Sequence, residues 1–216
     1  MTEQIRLRPD STIHRVLLGT TNQDKLREIR AVLGDTPVEL LTLANLPPVD
    51  EPVETGSTFA ENARLKAMYY ADAAARAIDD PSLLVVAEDS GLVVDALDGE
   101  PGVLSARFLR PDASYTERFD EIYRRLASSS RPRTARFICA LAAVRGGNLV
   151  FETTGTIEGE ISAEPSGVHG FGYDPIFFYP PYGRTLADVS DEEKLRVAHR
   201  GHAFRNLREW LAPASR

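Results

Sequence analysis

Glu88 and Asp89 stand side by side after the apolar run 83–87, in Glu88-Asp89-Ser90-Gly91, and Glu54 and Glu61 flank the start of a helical pattern. Carboxylates converging from two segments can hold Mg²⁺, which takes hard oxygen ligands together with substrate phosphates. Asp89, or water on such a cation, would then supply the nucleophile. The plain alternative is a turn, since Asp-Ser-Gly is ordinary turn chemistry. A second feature is Gly19-Thr20-Thr21-Asn22-Gln23-Asp24-Lys25, where a strand pattern runs straight into a helix start. Exposed N–H groups there favour anions, and hydroxyls, an amide and Lys25 add donors for phosphate oxygens. No Walker pattern occurs, and a capped surface helix explains the same residues. The third feature is the glycine-rich loop 167–174 with the basic residues Lys194, Arg196, His199, Arg200, His202 and Arg205. Its glycines let backbone approach a ligand, and Phe171 or Tyr173 can stack on a base. A solvated helix face is the default explanation of the basic cluster, and His199 and His202 lack a third zinc ligand nearby.

Lysine is scarce here: Lys25, Lys66 and Lys194 are the only three among 25 basic residues. A lysine kept among arginines offers the compact point charge that suits phosphate. Chance explains any one of them alone.

These residues need elements to position them. Residues 15–20 read as a short buried strand, followed by a helix capped at Thr21 or Asn22 with Leu26, Ile29 and Leu33 at helical spacing up to Gly34. Residues 38–43 form a second strand pattern and 44–55 a loop. Thr58-Phe59-Ala60-Glu61 is a capping box opening an alanine-rich helix to about residue 78. The apolar strand 83–87 stops at Glu88. Residues 93–97 and 103–108 read as short extended pieces, and 115–127 as an amphipathic helix. Residues 134–145 and 149–154 read as antiparallel strands joined through Gly146-Gly147-Asn148, with 156–162 as another strand. Residues 175–179 extend from the glycine-rich loop, and the end is helical over 191–197 and 199–211. Helices mixed with parallel and antiparallel strand signals, without a linker, predict one α/β domain with a mixed central sheet over 14–213, after a flexible leader at 1–13.

Composition narrows the function. The formal charge of −7 argues against a protein that grips a nucleic-acid backbone. Any polyanion it handles is small and held in a local basic pocket. The lone Cys139 excludes an intrachain disulfide and any cysteine-rich zinc site. The run 137–144 is about half the length of a membrane span, and 1–13 lack a signal-peptide core, so the expectation is a cytoplasmic protein with no membrane partner.

Taken in order, Thr20-x-Asn22-x-x-Lys25, Glu54-Thr-Gly-Ser-Thr-Phe-x-Glu-Asn-Ala-x-x-Lys66-Ala67, Glu88-Asp-Ser-Gly-Leu-x-Val-x-Ala-Leu-x-Gly99 with Pro-Gly-Val-x-Ser-Ala-Arg107, Gly170-Phe-Gly-Tyr-Asp-Pro-Ile-Phe177, and Glu193-Lys194 before His199-Arg200 closely resemble the inosine triphosphate pyrophosphatase family, the XTP/dITP diphosphatases that cleanse the nucleotide pool. The resemblance covers roughly 16–211. It implies two lobes with the nucleotide cleft between them, a homodimer, and Mg²⁺-dependent cleavage of dITP, ITP or XTP to monophosphate and pyrophosphate. By the same resemblance Thr20, Thr21, Asn22, Gln23, Asp24 and Lys25 hold the triphosphate. Asp89 is the proposed base and metal ligand, and Ser90 touches substrate. Phe171, Gly172, Tyr173 and Asp174, with Lys194, His199 and Arg200, enclose the base. From the residues themselves, Glu54 is the further acid offered to the metal, and Lys66, four positions after Asn62 on one helix face, can reach in from the long helix.

Three positions depart from the family pattern: Glu88 where many relatives carry Asp, Val53 where some place a second acid before Glu54, and Ala198 for the Ser usual before His199-Arg200. Two rivals stay open, a nucleotide-sensing module without turnover and a pyrophosphatase for modified pyrimidine nucleotides. The paired acids speak against the first, because they repel phosphate unless a metal intervenes.

Overall fold

A computed structural model describes residues 15–34 and 36–212; the expected leader at 1–13 lies outside the described residues. The chain runs β1 (Arg15–Leu18), α1 (Gln23–Leu33), β2 (Glu39–Thr42), α2 (Phe59–Ala77), β3 (Leu84–Val94), α3 (Tyr115–Ala127), β4 (Thr134–Arg145), β5 (Asn148–Ile161), β6 (Phe177–Tyr179), β7 (Arg184–Thr185), α4 (Asp191–Val197) and α5 (His199–Leu211). The strands form one mixed sheet in the order β2-β1-β3-β4-β5-β6-β7. β1 pairs in parallel with β2 and β3, as its helical crossovers demand. β5, β6 and β7 pair antiparallel.

Contacts divide the chain into two compact units. The first holds the residues up to Asp89, Cys139–Gly155 and the residues from Arg200 onward; the second holds Ser90–Ile138 and Thr156–His199. β3, β4 and β5 contribute residues to both. Each unit has its own apolar cluster. In the first, Leu17, Leu41 and Val85 from the strands pack with Tyr70 and Ala74 of α2. In the second, Leu92, Phe137, Ile157 and Phe177 pack with Phe119, Ile122 and Leu126 of α3. α2 and α3 begin with the capping boxes Thr58–Glu61 and Ser114–Glu117, each worth about 1 kcal/mol of helix stability. No helix among the described residues is long and apolar enough to cross a membrane.

The structure departs from the sequence expectation in several places, among them the expected extended piece 93–97, whose last three residues form a 3-10 helix over Asp95–Leu97. β3 does not stop at Ala87 but continues through Glu88, Asp89, Ser90 and Gly91 to Val94, so the acids lie within a strand and not in a turn. The expected extended piece 103–108 is a 3-10 helix over Gly102–Arg107, with Gly102 at a φ of 56° turning the chain. Residues 149–154 and 156–162 form one strand, entered from β4 by a two-residue turn with Gly146 and Gly147 both at positive φ.

Candidate active site

The phosphate-turn residues begin at Gly19, whose amide donates to the Val86 carbonyl at 2.8 Å. A side chain there would come within 2.6 Å of the Tyr70 ring, so only glycine fits. Asn22 caps α1: its Oδ1 accepts the Lys25 amide at 3.0 Å, and its own amide donates to Thr20 Oγ1 at 3.2 Å. Thr21 Oγ1 donates to Glu51. Gln23 Nε2 turns back to the Thr21 carbonyl, and Asp24 pairs with Arg27 on the surface. Lys25 points from the first turn of α1 to Glu88, Nζ to Oε1 2.8 Å.

Glu88 is fully enclosed. It accepts from Lys25, from Arg200 Nε and Nη2 at 3.4 and 3.3 Å, and from Cys139 Sγ at 3.5 Å. Burial pushes its pKa up, but Lys25, Arg200 and Lys66 outweigh burial and hold the carboxyl well below its ordinary range. Arg200 is buried too, and its Nη1 donates to Glu28 Oε2 at 2.6 Å. The guanidinium expected at the base is thus held by two carboxylates of the first unit.

Asp89, the next residue of β3, faces a different set of partners, because adjacent strand residues point to opposite sides. Its Oδ1 lies 3.0 Å from Lys66 Nζ and its Oδ2 accepts from Asn62 Nδ2 at 3.2 Å. Lys66 Nζ also donates to Glu54 Oε1 at 2.7 Å. Asn62 and Lys66 lie four apart on α2 and share a face, so one helix turn presents an amide and an ammonium to one carboxylate. Burial raises the pKa of Asp89; Lys66 opposes this, Glu54 and Glu88 reinforce it, and the net direction is upward. Burial lowers that of Lys66, but Asp89, Glu88 and Glu54 together raise it. Glu61 takes no part, since it caps α2 through Ser57 and Thr58.

The donor set of Asp89 and Glu54 fits a hard divalent cation. Two carboxylate oxygens already converge on one positive charge, with Asp89 in a site that disfavours leaving it uncompensated. Mg²⁺ typically takes one or two carboxylates and completes its shell with water and phosphate. Among the described residues no group of three or more His, Cys, Asp or Glu forms a metal cage.

In the second unit, Asp174 organises the glycine-rich loop. Its buried Oδ2 accepts the Phe171 amide at 2.7 Å and Lys194 Nζ at 2.6 Å. Gly170 sits at a φ of 69°, and a Cβ there would fall 2.2 Å from that same oxygen. Lys194 Nζ also lies 4.6 Å from the centre of the Phe171 ring, a cation–π contact. Phe171 stays half-buried, while Tyr173 is core: its hydroxyl donates to the Ser105 carbonyl at 2.8 Å and its ring meets Tyr115 edge-on at 5.3 Å. Of the two aromatics expected to stack, Phe171 is the less buried. His199 is buried and stacked on Phe137 at 4.8 Å. Ser90 is half-buried in β3.

Sequence reasoning passed over Asn62 and Glu28 as functional residues. Each had a signal: Asn62 lies one helical turn before Lys66, and Glu28 three residues after Lys25.

A model of the Ham1 family matches residues 16–210. The chain belongs to the Ham1 family. Among curated Ham1 relatives, the dITP/XTP pyrophosphatase of Halalkalibacterium halodurans is 41% identical over 198 residues, spanning 90% of this chain and 97% of its own. That of Geobacillus kaustophilus is 42% identical over 195 residues, with 90% and 92% covered. Among solved structures, a HAM1 protein from Coxiella burnetii superposes with a TM-score of 0.80 at 34% identity, covering 92% of this chain and 98% of that one. The Ham1 match spans the phosphate turn, the Asp89 strand, the Asp174 loop and His199-Arg200. Of the departures, Val53 is 79% exposed, so an acid in its place would stand in solvent. Ala198 is buried at the end of α4, where its amide bonds to the Lys194 carbonyl.

Proposed function

We propose that this Ham1 protein hydrolyses non-standard purine nucleoside triphosphates (dITP, ITP and XTP) between the α and β phosphates, releasing monophosphate and pyrophosphate. The observation that carries the reading is that consecutive acids of β3 engage different lysines: Glu88 engages Lys25 while Asp89 engages Lys66. Each of the two ammonium groups is thereby held against its own buried carboxylate, which supplies the positive charge and the proton acceptor that phosphoryl transfer needs. The activity of the named relatives supports the substrate class.

Asp89 and Glu54 would hold Mg²⁺, which when bound neutralises phosphate charge and acidifies water. Asp89 receives the proton of the attacking water at a carboxylate oxygen, a role its raised pKa favours. Asn62 fixes the orientation of that carboxylate. Lys25 and the turn Thr20, Thr21, Asn22, Gln23 and Asp24 bind the triphosphate, and Lys25 leaves Glu88 to meet the departing pyrophosphate. Ser90 and Lys66 contact phosphate. Phe171 stacks on the base, Gly172 and Tyr173 present backbone to its edge, Asp174 with Lys194 fixes the loop, His199 packs on Phe137, and Arg200 acts on Glu88 rather than on the base. In this reading the enzyme is a cytoplasmic homodimer. Chromatography of a dITP digest with Mg²⁺ is expected to give dIMP and pyrophosphate; dIDP and orthophosphate overturn the cleavage position.

A further inference from the structure

Lys66 Nζ occupies the point where the two carboxylates proposed as metal ligands meet, 2.7 Å from Glu54 Oε1 and 3.0 Å from Asp89 Oδ1. Its side chain is 13% exposed, and those of Glu54 and Asp89 are 19% and 8% exposed, so water screens the triad poorly. An ammonium and a divalent cation cannot share that point, because like charges a few ångströms apart and poorly screened repel strongly. Lys66 is anchored on α2 in register with Asn62, which holds the other oxygen of Asp89 at 3.2 Å. That amide holds the carboxylate independently of the ammonium.

We infer that Lys66 is a built-in cation that keeps Glu54 and Asp89 closed to free metal, and that a triphosphate opens the pair by giving the ammonium a competing anion. Metal and nucleotide then enter together, and the nucleotide-free protein stays largely metal-free. The inference rests on the assignment of Glu54 and Asp89 as metal ligands and adds the order in which they become available. The lysine has a separate consequence for the nucleotide-free protein: it compensates buried Asp89 and half-buried Glu54, which would otherwise repel each other.

The test measures Mn²⁺ binding to nucleotide-free protein by electron paramagnetic resonance, with the Mn²⁺-induced rise in Tm as a second readout. Wild type is expected to bind weakly and shift little. Lys66→Met, nearly isosteric but uncharged, is expected to bind at least ~10-fold tighter, as removal of one adjacent positive charge requires. Lys66→Gln is expected to follow Lys66→Met, and Lys66→Arg to stay near wild type because it keeps the charge. In the Lys66→Met background, Glu54→Gln and Asp89→Asn should each abolish the gain. Affinities of Lys66→Met and Lys66→Gln within twofold of wild type overturn the inference, as does a gain that survives Glu54→Gln and Asp89→Asn. The metal reading is judged separately by dITP hydrolysis in Asp89→Asn with Lys66 intact. Loss of that activity without a Mn²⁺ gain in Lys66→Met sinks only the inference, whereas full activity in Asp89→Asn sinks the reading beneath it.

Discussion

At Asp89, the Lys66 ammonium favours the charged form, while burial and the neighbouring Glu54 and Glu88 disfavour it and prevail. A folded-state pKa above the unfolded value of 3.8 means the folded protein holds the proton more tightly than the unfolded chain does. Ionised Asp89 therefore subtracts from stability at neutral pH. Asp89→Asn is expected to lose at least ~10²-fold in kcat while its Tm stays equal to or above wild type. Near wild-type turnover at saturating Mg²⁺ would move the chemistry to Glu54 or Glu88. Glu88 behaves oppositely. Its depressed pKa contributes stability that is present above the unfolded value of 4.5 and lost as pH falls through the folded one. The Tm gap between wild type and Glu88→Gln should be widest near neutrality and shrink below pH 4.5; a constant gap would remove the linkage. Both residues stood out in the sequence, as did the three lysines. Their pairing did not, since Lys25 with Glu88 and Lys66 with Asp89 join separations of 63 and 23 residues, and no local pattern carries such contacts.

At the scale of elements, β3 shows why sequence periodicity ended the strand too early. Asp and Gly are depleted in strands, and consecutive acids in a buried one are adverse unless compensated. Here the compensation arrives from α1, α2 and α5 through Lys25, Lys66, Asn62 and Arg200. Beyond Gly91 the strand finds further partners: Leu92 donates to Ser105 Oγ at 2.9 Å and Val94 to the Glu100 carbonyl at 3.2 Å. The 3-10 helix Gly102–Arg107, read as extended from Val103 and Phe108, thus completes backbone bonds of β3. Gly91 makes this approach possible, because a Cβ there would fall 2.3 Å from Ser105 Oγ and 2.7 Å from the Gly102 carbonyl. Gly91→Ala is expected to destabilise by about 1–3 kcal/mol through overpacking, lowering Tm by roughly 2–4 °C per kcal/mol. Adding Ser105→Ala removes the hydroxyl contact but leaves the carbonyl clash, so it should not restore the wild-type Tm. An unchanged Tm in Gly91→Ala would show that Gly102–Arg107 yields freely and does not brace the strand.

Across the whole molecule, the acids and lysines read as handling phosphate belong to the first compact unit, and the Asp174 loop read as meeting the base belongs to the second. Two lobes were expected only through the family resemblance, and the unit boundary within β3, between Asp89 and Ser90, was not legible in the sequence. The division predicts that base preference is set apart from phosphate chemistry. In the loop, the Phe171 amide is engaged by Asp174 Oδ2 and the Asp174 amide by the Phe171 carbonyl. The amides of Gly172 and Tyr173 are therefore the donors we assign to the base edge, because Arg200 is committed to Glu28 and Glu88. Hypoxanthine and xanthine carry a keto oxygen at C6 that accepts such donors, whereas adenine presents an amino group that leaves them unpaired. Mismatches of this kind discriminate by up to ~10⁴. Guanine shares the keto oxygen, so its rejection has to come from the 2-amino group and should be weaker. The measurement is kcat/KM for ITP, XTP, GTP and ATP at one Mg²⁺ concentration, in wild type and in Phe171→Ala. Wild type should prefer ITP and XTP to ATP by far more than tenfold. Phe171→Ala should raise KM for every base by removing the stacking face, worth about 1–3 kcal/mol, while kcat changes little. ATP turnover within tenfold of ITP, a difference below ~1.4 kcal/mol, would disprove the assignment of the base to this loop and leave the phosphate chemistry standing.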